Sequence, residues 1–310
     1  MTETERMAAQ WWTARQEPFL DLAGRDEAEA RFHRHLHLEP LGAETVPLAN
    51  APGRVLAEDA VAGLDVPGFD RSTVDGVALR SMDTGSARDT APVRLRLTPD
   101  RLGPGIVPAH AVAAGLATPI AAGGMVPRGA DAVVSIAQTE TVETDAGLAI
   151  KIRRAVAPGQ AIAAAGSDIA RGETVLRAGQ LLSSREIGML AALGLTEVAV
   201  WRRPRVAILS TGDDVVAPGR PLGPGRVYDS NAATLAAAVA EYGGEPLPLG
   251  IAAADEDGVA GLLGRALAEA DMVLLAGGAS EGAGDVAARV VGRLTDPGIV
   301  VHGVALKPGK

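Results

Sequence analysis

Arg205-Val-Ala-Ile-Leu-Ser-Thr-Gly-Asp-Asp214 is the stretch from which the fold is read. Arg205 to Ser210 is a short apolar run with the length of a buried strand. It breaks at Thr211-Gly-Asp-Asp214, where the carboxyl end of such a strand opens onto a crevice. Downstream, Ser230-Asn231 caps a helical run to Glu241, Glu245 to Ile251 is a second strand, and Asp257 to Glu269 is helical again. Asp271-Met-Val-Leu-Leu275 is a third strand, followed at once by Gly277-Gly-Ala-Ser-Glu-Gly282. A helix from Asp285 and a strand near Ile299 to His302 lead to Lys307-Pro-Gly-Lys310. Strands alternating with helices predict an α/β layer, a parallel sheet covered on both faces with right-handed connections and its ligand outside the carboxyl ends of the strands. Both polar loops, Thr211 to Asp214 and Gly277 to Asp285, fall at such ends.

The whole chain sets limits on this reading. Its 310 residues predict two domains or three. An apolar fraction of 47% supports a globular core, and 3% aromatics make that core aliphatic. No run approaches the roughly 20 apolar residues that span a bilayer. Glu3 and Glu5 break the basic-then-apolar pattern of a secretory signal. With no cysteine there is neither a disulfide framework nor a thiolate metal site, and cytoplasm is the expected compartment. A net charge of −9 argues against nucleic acid as a partner. Local donors within a Debye length of ~8 Å can still bind a small anion.

Upstream, residues 1–24 are polar with an isolated Trp11-Trp12 pair, readable as a packed helix or a tail. Arg25 to about Leu38 is a plausible amphipathic helix holding His33, His35 and His37. Side chains meet on a helix three or four residues apart, so alternate spacing scatters these histidines and favours a surface role over a metal site. Val46-Pro-Leu48 and Arg54-Val-Leu56 are short extended pieces. They lead to Asp65-Val-Pro-Gly-Phe-Asp-Arg-Ser-Thr-Val-Asp-Gly-Val-Ala78, either a turn-rich connection or a loop presenting Ser72 and Asp75, with Gly76 allowing close backbone approach. Val93–Leu97, Ala132–Ile136 and Ala149–Ile152 predict a small inserted β domain. Ser183 to Leu193 is a helix capped by Ser183 or Ser184, with Glu186 in its first turn and Gly194 in the left-handed terminal position.

Asp214 and Asp285, at the mouths of two loops, can hold Mg²⁺, which prefers oxygen ligands and shared phosphates. Each also fits a helix N-cap, and both readings stand. Gly277, Gly278 and Gly282 let backbone amides approach a phosphate. Tyr228-Asp-Ser-Asn231 is a capping run or a contact loop. Lys307 and Lys310 put two cations on a rigid turn suited to an oxyanion, or form a solvated end. The chain has no P-loop, no Gly-x-Gly-x-x-Gly after a strand, no Gly-x-Ser-x-Gly elbow and no His-Glu-x-x-His pair, which disfavours the enzymes built on them. The residues alone point to a phosphorylated or nucleotide-like ligand with a divalent metal.

Taken in order, several stretches together resemble the molybdopterin molybdenumtransferases, a family that includes the E domain of gephyrin. They are Ala51-Pro-Gly-Arg-Val-Leu-Ala-Glu-Asp59, the Asp65–Ala78 loop, Val126-Pro-Arg-Gly-Ala-Asp-Ala-Val-Val134 and Gly166-Ser-Asp-Ile169. Arg205–Val215, Tyr228-Asp-Ser-Asn231, Asp271–Asp285 and Lys307-Pro-Gly-Lys310 complete the set, which covers about residues 26–310. The resemblance implies a discontinuous helical domain I (26–72 and 158–184), an inserted β domain II (73–157) and an α/β domain III (185–310) like the molybdopterin adenylyltransferases, after an N-terminal extension (1–25). It implies insertion of molybdate into adenylylated molybdopterin, with Mg²⁺ as cofactor and AMP as product, in molybdenum cofactor biosynthesis. It also implies a homodimer, with other proteins of that biosynthesis as possible partners and no membrane.

On that pattern Asp75, Asp229 and Ser280 are the catalytic candidates, and Asp214 and Asp285 hold Mg²⁺. Thr211, Gly212, Gly277, Gly278 and Gly282 meet the nucleotide and phosphates, Lys307 and Lys310 attract molybdate, and Ser72 reaches across the dimer with Asp75. The chain departs from the family at Ala122, where Thr is usual, at Ala137 and Ser167, where Glu is usual, and at Asp214, where a longer Glu is usual. At Ala288 a Lys is usual, and Arg289 is the candidate substitute for its charge. The family's C-terminal β-barrel is also expected to be missing. Two other readings follow from these departures: a non-catalytic molybdopterin-binding or scaffold protein with a degenerate site, and an adenylyltransferase-like enzyme.

Overall fold

The computed structural model describes residues 22–145, 147–277, 286–294 and 297–306. The Trp11-Trp12 pair therefore lies outside the described residues. The chain divides into two units, one of Thr45–Val200 and one of the residues on either side of it.

Helix α1 (Arg25–His35) precedes that division. Arg31 pairs with Glu27 at 2.6 Å and His33 with Glu29 at 3.8 Å, one turn apart on an exposed face. The helix stops at Leu36, whose backbone is extended, so His37 lies beyond it.

In the Thr45–Val200 unit, alternating apolar residues build a six-stranded sheet. Its strands are β1 (Gly76–Leu79), β2 (Val93–Leu97), β3 (Leu116–Ile120), β4 (Ala132–Ser135), β5 (Thr139–Thr144) and β6 (Gly147–Ile152), in the order β4-β1-β3-β2-β6-β5. Every neighbouring pair is antiparallel except β2 with β3. Strand alternation sends Val77, Leu79, Leu95, Ile150 and Ile152 into one core and Ala78, Ile120 and Val133 into another. The sharper reading of Gly76 changes here. A Cβ on Gly76 would collide with the Val134 carbonyl, so what approaches it is the neighbouring strand, not a ligand.

A further core of the same unit gathers Val46, Leu56, Leu182, Leu190 and Val200 around α2 (Ser184–Ala192). Ser183 caps this helix reciprocally with Glu186, satisfying amides that the first turn leaves open, and Gly194 follows it with φ 76°. Hydrogen bonds from the Ser183 hydroxyl and backbone hold the Glu186 carboxyl below its ordinary range.

The other unit carries the α/β layer. Its elements are β7 (Arg205–Thr211), β8 (Val215–Val216), β9 (Val227–Tyr228), α3 (Ser230–Glu241), β10 (Glu245–Ala252), α4 (Glu256–Glu269), β11 (Met272–Ala276) and α5 (Val286–Val291). The main sheet is parallel, in the order β10-β7-β11. Val206 to Ser210 are consecutively buried, as a strand covered on both faces requires. Ala207 and Leu209 pack with Ala266 of α4.

The strand expected at Ile299–His302 forms instead at Gly303–Val304, paired in parallel with Leu22–Ala23. A strand exists only where a ladder partner does, and that two-residue pairing sets its position. No helix of the described residues is long and apolar enough to cross a membrane.

Candidate functional site

Because β7 lies between β10 and β11, the chain leaves β7 toward one edge of the sheet and returns on the other side. That reversal opens a crevice at the carboxyl ends of β7 and β11, the place where open α/β sheets bind ligands. Thr211-Gly212-Asp213-Asp214 follows β7, and Gly277 follows β11. A Cβ on Gly277, whose φ is +95°, would collide with the Thr211 carbonyl oxygen. Glycine at 277 thus lets the two loops touch backbone to backbone, a role within the fold that the sequence reading assigned to a phosphate.

The loop after β7 is closed on itself. The Val227 amide donates to the Asp214 carbonyl at 2.8 Å, and the Asp229 amide donates to the Val216 carbonyl at 2.9 Å. This β8–β9 clip pairs Val215 with Val227 and Val216 with Tyr228 in parallel, so Asp214 lies at its start and Asp229 at its end. Asp214 is exposed and leads into a strand, so the N-cap reading of this residue falls away. Asp229 is 7% exposed, and its carboxylate accepts the Ala232 amide at 3.0 Å. It is therefore Asp229, not Ser230 or Asn231, that caps α3. The Tyr228 hydroxyl donates to the Arg220 carbonyl at 3.0 Å and ties down the rest of the loop. Ser210, at the end of β7, was not singled out in the sequence. It is buried, and among the described residues its hydroxyl has no hydrogen-bond partner.

Thr211, Gly212, Asp214 and Gly277 thus lie at the carboxyl ends of β7 and β11, and Asp229 lies at the N-terminus of α3. Gly278, Ser280, Gly282, Asp285, Lys307 and Lys310 lie outside the described residues.

Ser72 and Asp75 belong to the Thr45–Val200 unit. Asp75 is exposed, and its carboxylate accepts the Ala122 amide at 2.8 Å. Ser72 is 1% exposed, and its hydroxyl donates to the Val74 carbonyl at 2.6 Å, so its side chain shapes the loop and does not face solvent. The Ser72 carbonyl accepts the Gly123 amide at 2.7 Å, and the Thr73 amide donates to Ala161, a non-glycine residue at φ 55°. Loop and turn form one braced piece, and the backbone of Ala122 takes part in it whatever its side chain.

Arg289 bonds a carboxylate of the neighbouring helix. Its Nε donates to Glu256 at 2.8 Å, and Arg293 bonds the other oxygen of the same carboxylate. These partners, Arg289 first, hold the Glu256 carboxyl below its ordinary value of 4.5. The pairing joins α5 to α4.

Among the described residues no group of three or more His, Asp or Glu could enclose a metal ion. The exposed carboxylates of Asp213 and Asp214 fit the alternative, a Mg²⁺ that keeps most of its water and shares one or two carboxylates with ligand phosphates.

A family model described as "MoeA N-terminal region (domain I and II)" matches residues 24–194, and one described as "Probable molybdopterin binding domain" matches residues 207–310. The chain is 38% identical over 275 residues to molybdopterin molybdenumtransferase 2 of Mycobacterium tuberculosis, covering 86% of this chain and 65% of that relative. It is 33% identical over 285 residues to the molybdopterin molybdenumtransferase of Bacillus subtilis, covering 92% and 65%. The chain thus spans 65% of the length of these curated relatives. A crystal structure of a molybdopterin biosynthesis MoeA protein from Pyrococcus horikosii matches 94% of this chain and 71% of its own, with 35% identity and a TM-score of 0.79.

Proposed function

Since this chain belongs to the MoeA family of molybdopterin molybdenumtransferases, we propose that it inserts molybdate into adenylylated molybdopterin with release of AMP, a step of molybdenum cofactor biosynthesis. The observation that carries this reading is the switch point of the parallel sheet, where the Thr211–Asp214 loop and Gly277 lie side by side at the carboxyl ends of β7 and β11. Its backbone donors and carboxylates suit a ligand with a phosphoanhydride. Gly278, Ser280 and Gly282, continuing from Gly277, present amides and a hydroxyl to the nucleotide end. Lys307 and Lys310 draw the molybdate oxyanion.

Asp214 and Asp285 are the residues that would hold Mg²⁺, which when bound neutralises charge developing on the phosphoanhydride. Asp229, buried at the N-terminus of α3, orients the loop that carries Asp214. Asp75, braced by the Ala122 amide, supplies a carboxylate to the site of a second copy in a homodimer, and Ser72 holds the loop that presents it. The same reading divides the chain into a discontinuous domain I, the inserted β domain II and the α/β domain III with the boundaries given above.

The test is AMP release from adenylylated molybdopterin by the purified protein, with and without molybdate and Mg²⁺. Molybdate-stimulated release that disappears in Asp285→Asn supports the transferase. Tight binding of the same compound without release overturns it in favour of a binding role.

A further inference from the structure

We propose that the Thr45–Val200 unit carries a second site, separate from the crevice at β7 and β11, that binds a small organic anion. It is a cleft of about 420 Å³ where the start of β5 and the end of β6 meet the segment from Arg153 to Gln160. That is within the size range of small-molecule sites.

Val134 and Ile152 at its back are almost wholly buried and Val156 is half-buried, so the surface that a ligand meets is mainly polar. One wall is a fixed charge cluster. Glu140 accepts Lys151 Nζ at 2.7 Å and the Arg153 guanidinium at 2.8 Å. Arg153 also donates to the Asp89 carbonyl at 3.1 Å, which holds its planar group in place. The two cations, Lys151 first, keep the Glu140 carboxyl below the ordinary carboxylate range, so the acid stays ionised and its charge is outweighed.

The opposite contributions are unspent. Among the described residues Arg154 has no hydrogen-bond or ion-pair partner, and neither do the side-chain amides of Gln138 and Gln160. All three line the same cleft. Ala137 and Ala155 add only methyl groups, which leaves the space open. Of the charged residues lining it, Arg153 and Arg154 match Asp89 and Glu140 in number, but Glu140 is already paired with Lys151 and Arg153, which leaves the Arg154 charge unmatched. A free guanidinium fork matches the geometry of a phosphate or carboxylate, and flanking amides supply further donors. The ligand class is therefore a small organic oxyanion, a phosphate monoester or a carboxylate.

Titration of the protein with phenyl phosphate and with benzoate, followed by calorimetry, tests the site. The two probes share a body and differ in the oxyanion, so the tighter one identifies a phosphate monoester or a carboxylate as the natural group. Expected is saturable binding of at least one probe, weakened about tenfold or more in Arg154→Glu and less in Gln138→Ala. Binding of AMP should be the same in Arg154→Glu as in the unchanged protein. Arg154 is exposed, so this variant keeps its fold, and its unfolding midpoint verifies that. No binding of either probe up to about 10 mM overturns the proposal. Equal affinity in Arg154→Glu also does, as does loss of probe binding in Lys307→Ala/Lys310→Ala, which would move the anion to the other unit.

Discussion

The Ala122 backbone amide donates to the Asp75 carboxylate across 2.8 Å, so an exposed acid and the turn beside it behave as one element. This separates two roles of Asp75. Asp75→Asn retains an acceptor for the amide and should keep stability within about 0.5 kcal/mol. Asp75→Ala removes it and should cost about 1 kcal/mol, no more, because the amide can turn to water. If the carboxylate acts on the ligand, both variants lose AMP release, and urea midpoints show that the loss in Asp75→Asn is not unfolding. An active Asp75→Asn would leave the residue a purely structural brace.

Gly277 and Gly243 both have positive φ, +95° and +85°, but only Gly277 has backbone in the way, the Thr211 carbonyl; nothing lies within 4 Å at Gly243. Gly243→Ala should therefore cost only the left-handed strain, about 1 kcal/mol. Gly277→Ala should cost about 2–4 kcal/mol, since the β11 and β7 ends must separate. It should also lose nucleotide binding. Paired denaturation curves decide the point, and equal costs would mean that the two loops do not depend on their contact.

What could be read from the sequence was local. Arg205–Thr211, Glu245–Ala252 and Met272–Ala276 are apolar runs bounded by polar turns, and Ser183 with Glu186 is a capping box, so each declares itself within a few residues. What escaped was set by distant partners. β8 and β9 are two residues each and exist only because Asp214 and Val216 offer carbonyls to Val227 and Asp229. Nothing local distinguishes Ser72, whose hydroxyl turns inward, from the exposed Asp75 three residues on. Ala161 gave no sign that it would occupy φ 55°. The bond from Arg289 to Glu256 gave no local sign because the two are 33 positions apart.

The Glu256 cluster predicts a response to acid. Its carboxyl is held below the ordinary 4.5 by Arg289 and Arg293, so the folded state binds that proton less readily than the unfolded chain. The pairing is fully present above the unfolded value and is lost as pH falls through the lower folded value. Protection of the α5 amides against hydrogen exchange should therefore hold at neutral pH and fall below about pH 4. In Glu256→Gln the protection should be low already at neutral pH and change little on acidification. Protection that is unaffected by the substitution would mean that α5 is held by its apolar contacts alone, through Val290 and its neighbours.

Asp229 allows the sharpest division between fold and chemistry, because Asn and Asp cap helices about equally well. Its carboxylate accepts the Ala232 amide at 3.0 Å from a position 7% exposed. Asp229→Ala should thus destabilise the unit by about 1–2 kcal/mol, leaving the first turn of α3 with an open donor. Asp229→Asn should stay within about 0.5 kcal/mol of the unchanged protein. If Asp229 only positions the loop that carries Asp214, Asp229→Asn keeps most of the AMP release and its Mg²⁺ dependence. If its charge acts on the ligand, the same variant is stable and inactive. Denaturation midpoints together with AMP release at two Mg²⁺ concentrations distinguish the cases, and an unstable Asp229→Asn would refute the cap itself.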